Sequence, residues 1–277
     1  AAEQARADNI PFYPEVFTPL LASTVAKEHG HASLITANFV LGSIDNLHAL
    51  FSGVRHILKP EGLFIIEEPY LADVMQKNLF DTVTHERLSF ITAASFEPFL
   101  RSVQMHLIDV KRDSFRQGIL RAMVQRSDGP HVVSSSLAGF IAEEIKAGYH
   151  TVESLTAFAE RTEKVKAHLK TMVSELKASG KKVAGYGASG RTLTFIHECG
   201  WQKDTLEFIV DDNPYKHDLL LAGTDIRVVH PNALRDRKPD HVILFAYNHL
   251  EHLMQQQADY LKAGGRFITP FPEPAVL

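Results

Sequence analysis

The chain has 277 residues, of which 45% are hydrophobic and 22% charged, proportions typical of globular proteins and not of disordered chains. Its formal net charge of -4 gives no electrostatic reason to expect a nucleic acid or an anionic membrane surface as a partner. Cys199 is the single cysteine, which excludes an intramolecular disulfide and a cysteine-based zinc site, and the histidines show no metal-ligand spacing. With no secretory signal and no apolar run long enough for a bilayer, we expect a cytoplasmic protein without a metal or a membrane partner.

The first part of the chain predicts a parallel β-α-β arrangement. Residues 33–41 (SLITANFVL) are typical of a buried strand, residues 47–58 have helical spacing of apolar positions, and residues 62–66 predict a second strand. Such strands are joined by a right-handed crossover, and ligands bind outside their carboxyl ends. The sequence therefore favours a site near residues 38–45 and 67–70.

The middle of the chain predicts a helix, an antiparallel pair of strands and then further helices. The helix is expected at residues 94–103, and the paired strands at residues 105–111 and 119–125. Helical periodicity runs through residues 135–179, with the longest helix at residues 151–176. We interpret these last helices as a connection between two domains.

The stretch KKVAGYGASGR, residues 181–191, is the strongest functional signal in the chain. A short apolar strand leads into glycines spaced G-x-G-x-x-G from Gly185 to Gly190, and a second strand at residues 206–210 ends at Asp211. This is the context of the dinucleotide fingerprint, in which glycines permit close backbone approach and a helix N-terminus attracts phosphate. The pattern predicts a phosphate-bearing nucleotide without specifying which one, and the alternative is a tight strand-to-helix turn with no ligand.

The rest of the chain predicts a complete doubly wound unit around this loop. Arg191, just inside the helix, adds a fixed positive charge suited to phosphate oxygens. Strands are expected at residues 226–229, 241–247 and 266–269, with a helix at residues 250–261. The predicted fold class is α/β, with this unit as the second domain.

Several stretches together resemble one family, the S-adenosylmethionine-dependent sugar-nucleotide C-methyltransferases. They occur in the family's order and cover nearly the whole chain: ANFVLGSIDNL from Ala37, LKPEGLFIIEEPYLADV from Leu58, FDTVTHERLSF from Phe80, GYGASGR from Gly185, VDDNPYK from Val210 and PFPEP from Pro270. The resemblance implies methyl transfer from S-adenosylmethionine to a carbon alpha to the ketone of a nucleotide-linked deoxysugar, through an enolate.

The resemblance also implies a domain organisation. Residues 1–130 correspond to the C-terminal half of a methyltransferase Rossmann domain, residues 131–180 to a helical connection, and residues 181–277 to a second doubly wound, Rossmann-like domain that binds the nucleotide sugar. In the family a zinc-binding domain and the first half of the methyltransferase unit come before these pieces, and we expect both to be missing here. The S-adenosylmethionine site is therefore expected to be only half present.

Two groups of binding residues follow from the resemblance. The far wall of the cofactor site would comprise Asn38, Phe39 and Val40, with Glu67 nearby. The glycine loop would bind the diphosphate of the substrate instead of NAD, because the C-terminal unit of such enzymes holds the nucleotide of the sugar. The residues implied in substrate binding are Gly185, Gly187, Ala188, Ser189, Arg191, Asp211, Asn213, Lys216 and Arg121.

The catalytic motif departs from the family pattern. Where the family has Tyr-His-Glu-His, with the second His as the base, this chain has Thr84, His85, Glu86 and Arg87. Arg87 is always protonated, so it cannot be a general base, although it could stabilise an enolate or bind a diphosphate. His85 or Glu86 is then the candidate base, and on a strand the two would face opposite ways. Tyr70 is a candidate for the missing phenol, or else a packed aromatic.

Other readings of the same residues remain open at this point. Asn38 could satisfy backbone groups at a strand end, His85 could be a structural histidine, and Glu86 and Arg87 could form a plain ion pair. The whole chain could instead be an NAD-dependent oxidoreductase that uses the glycine fingerprint. It could also be a nucleotide-sugar-binding protein without methyl transfer, a hypothesis motivated by Arg87.

Overall fold

A computed structural model describes residue 5 and residues 7–277, which divide into two compact units. The first unit comprises the described residues up to Tyr70 together with Leu88–Ala147, and the second comprises Leu71–Arg87 and Gly148–Leu277. The helices in chain order are α1 (Pro19–His29), α2 (Leu47–Ile57), α3 (Leu71–Gln76), α4 (Ala93–Ser102), α5 (Leu137–Ala147), α6 (Val152–Ala178), α7 (Gly190–Cys199), α8 (Ala233–Arg237), α9 (Leu250–Gln256) and α10 (Ala258–Lys262). The strands are β1 (Ala32–Asn38), β2 (Leu58–Pro69), β3 (Met105–Asp113), β4 (Ile119–Arg126), β5 (Val183–Tyr186), β6 (Ile209–Val210), β7 (Val228–Val229), β8 (His241–Leu244), β9 (Arg266–Thr269) and β10 (Ala275–Val276).

The first unit contains a mixed sheet in the order β1-β2-β4-β3. β1 and β2 are parallel, as the β-α-β pattern predicts, and β2, β4 and β3 are antiparallel neighbours. Helix α2 is capped by Asn46, whose side chain accepts a hydrogen bond from the Ala49 amide, and it buries Phe51 and Val54. The ring of Phe51 packs edge-on against Phe64 of β2 with centroids 5.6 Å apart, which joins the helix to the sheet.

Strand β1 differs from the buried strand predicted at residues 33–41. It ends at Asn38, and most of its side chains are exposed, with Leu34 at 55%. The reason is its place at the edge of the sheet, where β2 is its neighbour. Strand β2 also begins earlier than the predicted residue 62, at Leu58, and its pairing with β1 has a register irregularity near that end.

The second unit contains a sheet in the order β10-β9-β8-β5-β6-β7, parallel except for β10. Counted from β5, the five parallel strands have the order 3-2-1-4-5 of doubly wound nucleotide-binding folds. The strand order reverses between β5 and β8, and this switch point is where such sheets bind ligands. The predicted α/β fold is therefore confirmed, and the glycine loop after β5 lies at the switch point.

Several elements of this unit are shorter than the apolar runs that predicted them. The run at residues 206–210 yields only β6, and the run at residues 241–247 yields only β8. The amides of Phe245 and Ala246 both donate to the Tyr186 carbonyl, which ends the β8 ladder. The helix predicted at residues 250–261 is two helices, α9 and α10, separated at Gln257.

The two units are not contiguous in sequence. Helix α5 belongs to the first unit and α6 to the second, whereas residues 131–180 were expected to be one connection. The segment Leu71–Arg87 also groups with the second unit, although it precedes the last strands of the first. Among the described residues, no helix combines the length and apolar character needed to cross a membrane.

Candidate active site

The glycine loop connects β5 to α7 in a conformation fixed by hydrogen bonds. Ser189 caps the helix, its hydroxyl accepting from the Thr192 amide at 3.3 Å while the Thr192 hydroxyl accepts from the Ser189 amide at 3.2 Å. The Thr192 hydroxyl also donates to the Gly187 carbonyl at 2.8 Å. The loop thereby presents the N-terminus of a capped helix at the switch point, an arrangement suited to an anion.

The three glycines of the fingerprint meet different surroundings. A Cβ atom on Gly185 would lie 2.7 Å from the Phe245 ring, and one on Gly187, whose φ is +97°, would lie 2.9 Å from Ala246. A Cβ atom on Gly190 would meet nothing within 4 Å. Packing and backbone conformation thus account for the first two glycines, whereas a side chain at Gly190 would meet open space.

The polar residues after β6 hold the loop in place. Asp211 is 8% exposed and accepts hydrogen bonds from the Ala188 amide at 2.7 Å and from the Asn213 amide at 2.9 Å. Lys216 donates to Asp211 at 3.1 Å and to the Ala188 carbonyl at 2.9 Å. The structure therefore brings these predicted substrate residues together as supports of the loop backbone.

A cavity of about 290 Å³ lies beside Asp212, at the carboxyl ends of β6 and β7. Asp212 accepts from the Tyr186 hydroxyl at 3.1 Å and from Gln256 at 3.2 Å, and the other polar lining includes His230 and Asn232. Burial and the neighbouring Asp212 carboxylate both raise the pKa of Tyr186. The phenol is thus a neutral donor to Asp212, and the cavity offers amide, imidazole and carboxylate groups to a ligand.

Arg191 binds a carboxylate of its own chain. Its Nε and Nη2 atoms donate to the two oxygens of Asp81 at 3.0 and 2.9 Å, and its guanidinium lies 5.0 Å from the centre of the Tyr247 ring. The Tyr247 hydroxyl donates to the same carboxylate at 2.9 and 3.0 Å. Burial raises the pKa of Asp81 to about 6, although the Arg191 charge opposes the rise. The residue expected to contact phosphate is therefore paired with a buried acid.

The motif residues Thr84–Arg87 form a turn, closed by a hydrogen bond of 3.0 Å from the Arg87 amide to the Thr84 carbonyl. The expectation that His85 and Glu86 lie on opposite faces of a strand was wrong, because no strand forms here. Both side chains are exposed, on a turn that follows the short 3-10 turn Phe80–Thr82. A candidate base and a cation thus share one surface turn, here called the reaction turn.

The predicted cofactor residues lie at the carboxyl ends of β1 and β2 in the first unit. Phe39 has a φ of +57°, and its amide donates to the Glu67 carbonyl at 2.8 Å. Asn38 and Val40 on either side of it are exposed. Arg121, on the neighbouring strand β4, forms an ion pair with Glu67. A residue predicted to bind substrate therefore contacts a residue predicted to bind the cofactor.

Tyr70 is a packed residue in this structure. It is 3% exposed, and its hydroxyl donates to Glu144 at 2.8 Å. Glu144 also accepts from the amides of Ala93 and Ala94 at 3.0 and 2.7 Å, so it caps the N-terminus of α4. Of the two roles proposed for Tyr70, the structure favours the packed aromatic over the catalytic phenol. No cluster of metal-ligating side chains is found among the described residues.

Comparison with known proteins places these two units in a family. Residues 115–272 match the family described as the C-methyltransferase C-terminal domain, and residues 5–108 match a family described as the methyltransferase domain. This chain belongs to the C-methyltransferases. It is also 31% identical over 264 residues to C-methyltransferase NovU of Streptomyces niveus, a match that covers 95% of this chain and 63% of that protein. The predicted family is confirmed at the level of C-methyltransferase.

Sequence reasoning missed three residues that the structure places at the switch point of this C-methyltransferase family member: Asp81, Tyr186 and Tyr247. Asp81 lies inside a motif stretch, three residues before the reaction turn, yet its partner Arg191 lies 110 residues later in the chain. Tyr247 was detectable, since it follows an apolar strand beside the glycine loop, where the fold places ligands and their supporting groups.

Proposed function

We propose that the protein transfers a methyl group from S-adenosylmethionine to a carbon alpha to the ketone of a nucleotide-linked deoxysugar. The observation that carries this proposal is the pairing, within one unit of a C-methyltransferase, of a capped helix N-terminus at a switch point with an exposed turn bearing His85 and Glu86. The first can bind a diphosphate and the second can move a proton. The chain spans 63% of the length of the curated relative.

The glycine loop favours a substrate diphosphate over a dinucleotide cofactor. In dinucleotide-binding proteins an acid after the second strand binds the ribose. Here Asp211, the acid directly after β6, is buried and accepts from the Ala188 and Asn213 amides, so it supports the loop backbone and the ribose role is not assigned to it. The open space before Gly190 admits a phosphate to the helix N-terminus, and the polar cavity beside Asp212 could accommodate the rest of a nucleotide.

The reaction turn supplies the chemistry that alkylation next to a ketone requires. His85 or Glu86 removes the proton alpha to the carbonyl, since both are exposed and Arg87 cannot accept a proton. The developing enolate oxygen is negative, and the fixed charge of Arg87 can stabilise it. The enolate carbon is then the nucleophile.

The carboxyl end of β1 fits part of a cofactor site. Asn38 offers an exposed amide, and Phe39 and Val40 offer partly exposed apolar surface beside it. The backbone at Phe39 is held in a conformation that non-glycine residues rarely adopt, which is common next to ligand sites. S-adenosylmethionine would contribute a methyl group on a positively charged sulfur, and Asn38, Phe39 and Val40 would contact its polar and apolar parts.

Calorimetric titration of the chain with thymidine diphosphate, NAD and S-adenosylmethionine in parallel tests the ligand assignments. Under the proposal, thymidine diphosphate binds and NAD binds at least tenfold more weakly. Binding of NAD alone would support an oxidoreductase instead. Diphosphate binding with no S-adenosylmethionine binding, even in the longest form of the protein, would favour a nucleotide-sugar-binding role without methyl transfer.

Substitution of the reaction turn tests the mechanism. His85→Ala or Glu86→Ala should reduce methyl transfer at least a hundredfold if that residue is the base, because general base catalysis contributes about 10²–10⁴-fold. Affinity for thymidine diphosphate should stay within twofold of the parent, measured by titration. Full turnover in both variants would remove the turn from the mechanism.

A further inference from the structure

A buried carboxylate occupies the switch point of the second unit. The side chain of Asp81 is 3% exposed and lies between Arg191 at the start of α7 and Tyr247 after β8. Arg191 forms a bidentate ion pair with the two carboxylate oxygens of Asp81. The Tyr247 hydroxyl donates a hydrogen bond that these two oxygens share. Such a pair has a fixed geometry, and breaking it leaves a charge buried without its partner.

The residues around Asp81 are anchored in the same way. The Phe80 ring packs against Phe195 of α7 and Phe271, with centroids 5.0 and 5.4 Å apart. Asn78 donates to the Pro272 carbonyl at 3.2 Å and accepts from Arg161 of α6 at 3.1 Å. The segment leading to the reaction turn is therefore held on one side by aromatic packing and on the other by polar contacts.

Only two residues, Thr82 and Val83, separate this anchor from the reaction turn. The Val83 amide donates to the Phe80 carbonyl at 2.9 Å, so the chain leaves the anchor in a tight 3-10 turn with little slack. In contrast, Val83 is 49% exposed, and His85 and Glu86 are exposed. Upstream of the reaction turn the chain is thus anchored at Asp81, and downstream of it the Leu88 and Ser89 amides donate to the Gly42 carbonyl at 2.7 and 3.2 Å.

We propose that Asp81 is a positioning residue, which through Arg191 and Tyr247 fixes the reaction turn relative to the N-terminus of α7. The proposal rests on the proposed function, in which the α7 terminus holds the diphosphate and the turn carries the base. In this proposal Arg191 links the reaction turn to the N-terminus of α7 and is not a direct phosphate ligand. A displacement of the base by about 1 Å can lower the reaction rate about a hundredfold, so loss of this link should have a large effect on kcat.

The test compares Asp81→Asn, Tyr247→Phe and Arg191→Lys in the protein that shows methyl transfer, with Glu198→Gln as a matched control. Glu198, on helix α7, forms an ion pair with Lys166 of α6 and lines a surface cavity with Phe80 and Val83, but it does not bond to Asp81, Arg191 or Tyr247. Asp81→Asn and Arg191→Lys should lower kcat at least thirtyfold while KM for the nucleotide sugar changes less than threefold. Tyr247→Phe should lower kcat by a smaller factor, and the control should match the parent.

Hydrogen exchange provides a readout that does not depend on turnover. Amides of Thr82, Val83 and Arg87 should exchange at least tenfold faster in Asp81→Asn, while those of β8 keep the parent rate. Parent exchange and parent kcat in this variant would overturn the proposal. So would Arg191→Lys weakening thymidine diphosphate binding tenfold with Asp81→Asn unchanged, which would make Arg191 a phosphate ligand. If the parent enzyme transfers no methyl group, the proposed function fails, and the exchange data still decide whether Asp81 positions the turn.

Discussion

Alanine substitutions of the glycines in the loop after β5 should affect folding stability and ligand affinity differently. Gly187→Ala places a Cβ atom at a φ of +97° and 2.9 Å from Ala246, so we expect a loss of about 1–3 kcal/mol in the free energy of unfolding. Gly190→Ala lies in helical backbone with nothing within 4 Å, so stability should be unchanged or raised by up to about 1 kcal/mol. Affinity for thymidine diphosphate should nevertheless fall at least tenfold, because the added methyl group occupies the approach to the helix N-terminus.

Chemical denaturation and calorimetric titration of the two variants check this pair of outcomes. Gly185→Ala is a control for packing alone, since its Cβ atom would press on Phe245 inside the sheet. Undiminished diphosphate binding by Gly190→Ala would show that the ligand does not approach at this glycine.

Asp81 also predicts a pH dependence of stability. Burial raises its pKa to about 6 in the folded chain, whereas the unfolded value is near 4. The folded state therefore binds the proton more tightly, and the stability that this contributes is fully present below about pH 4 and lost as the pH rises through 6. The loss amounts to at most about 3 kcal/mol for a shift of this size.

The measurement is the free energy of unfolding of the parent and of Asp81→Asn between pH 4 and pH 7. The parent should lose more stability across the window than the variant, which has no titrating group at this position. A difference between the two proteins that stays constant from pH 4 to pH 7 would contradict the assigned pKa shift.

At the scale of elements, the sequence predicts best where the periodic burial of side chains defines the structure. Helix α2 was expected at residues 47–58 and ends at Ile57, and the antiparallel pair β3 and β4 lies at the predicted positions. The long helix α6 likewise covers the predicted residues 151–176 with small shifts at its ends. In each case the apolar residues recur at the repeat of the element, about 3.6 residues in a helix and about 2 in a strand.

Strand boundaries were predicted less well, because an apolar run reports burial and not hydrogen-bond partners. Leu206 and Phe208 are fully buried, yet they precede the two-residue strand β6. Phe245 is similarly buried beyond the end of β8, where its amide turns to the Tyr186 carbonyl. Burial of these side chains was readable from the sequence, but the place where the ladder stops depends on neighbouring strands.

The candidate site shows the same division between local and distant causes. The glycine loop and its helix were predictable, because the spacing of glycines and the helix start are local. The turn at Thr84–Arg87 was not, since a polar run without periodicity fits a strand or a turn equally. Asp81 has two partners that lie far from it in sequence: Arg191 is 110 residues later and Tyr247 is 166 residues later. No local pattern therefore indicates either partner.

At the scale of the whole molecule, the two compact units share the chain in an interleaved way. Family similarity divides the sequence into residues 5–108 and 115–272, one stretch after the other. The structure instead assigns Leu71–Arg87, from inside the first stretch, to the second unit. The segment that carries the reaction turn is therefore folded by the unit that carries the glycine loop, which places the proposed base and the proposed diphosphate site on one scaffold.

This interleaving predicts that the chain stays together when it is cut between the units. A protease site inserted at His150, in the exposed loop between α5 and α6, would yield one piece containing residues 71–87 and another containing Arg191 and Tyr247. The two pieces should co-elute on size exclusion after cleavage, because the Asp81 pair and the Phe80 ring still join them. Arg191→Met in the same cleavable chain should weaken the association at least tenfold, since it leaves the buried Asp81 carboxylate without its cation, a loss expected to exceed about 1.4 kcal/mol. Glu198→Gln should leave the association unchanged. Co-elution that is equally strong in Arg191→Met would mean that the aromatic and Asn78 contacts hold the segment without the ion pair, and complete separation of the parent pieces would contradict the interleaved division.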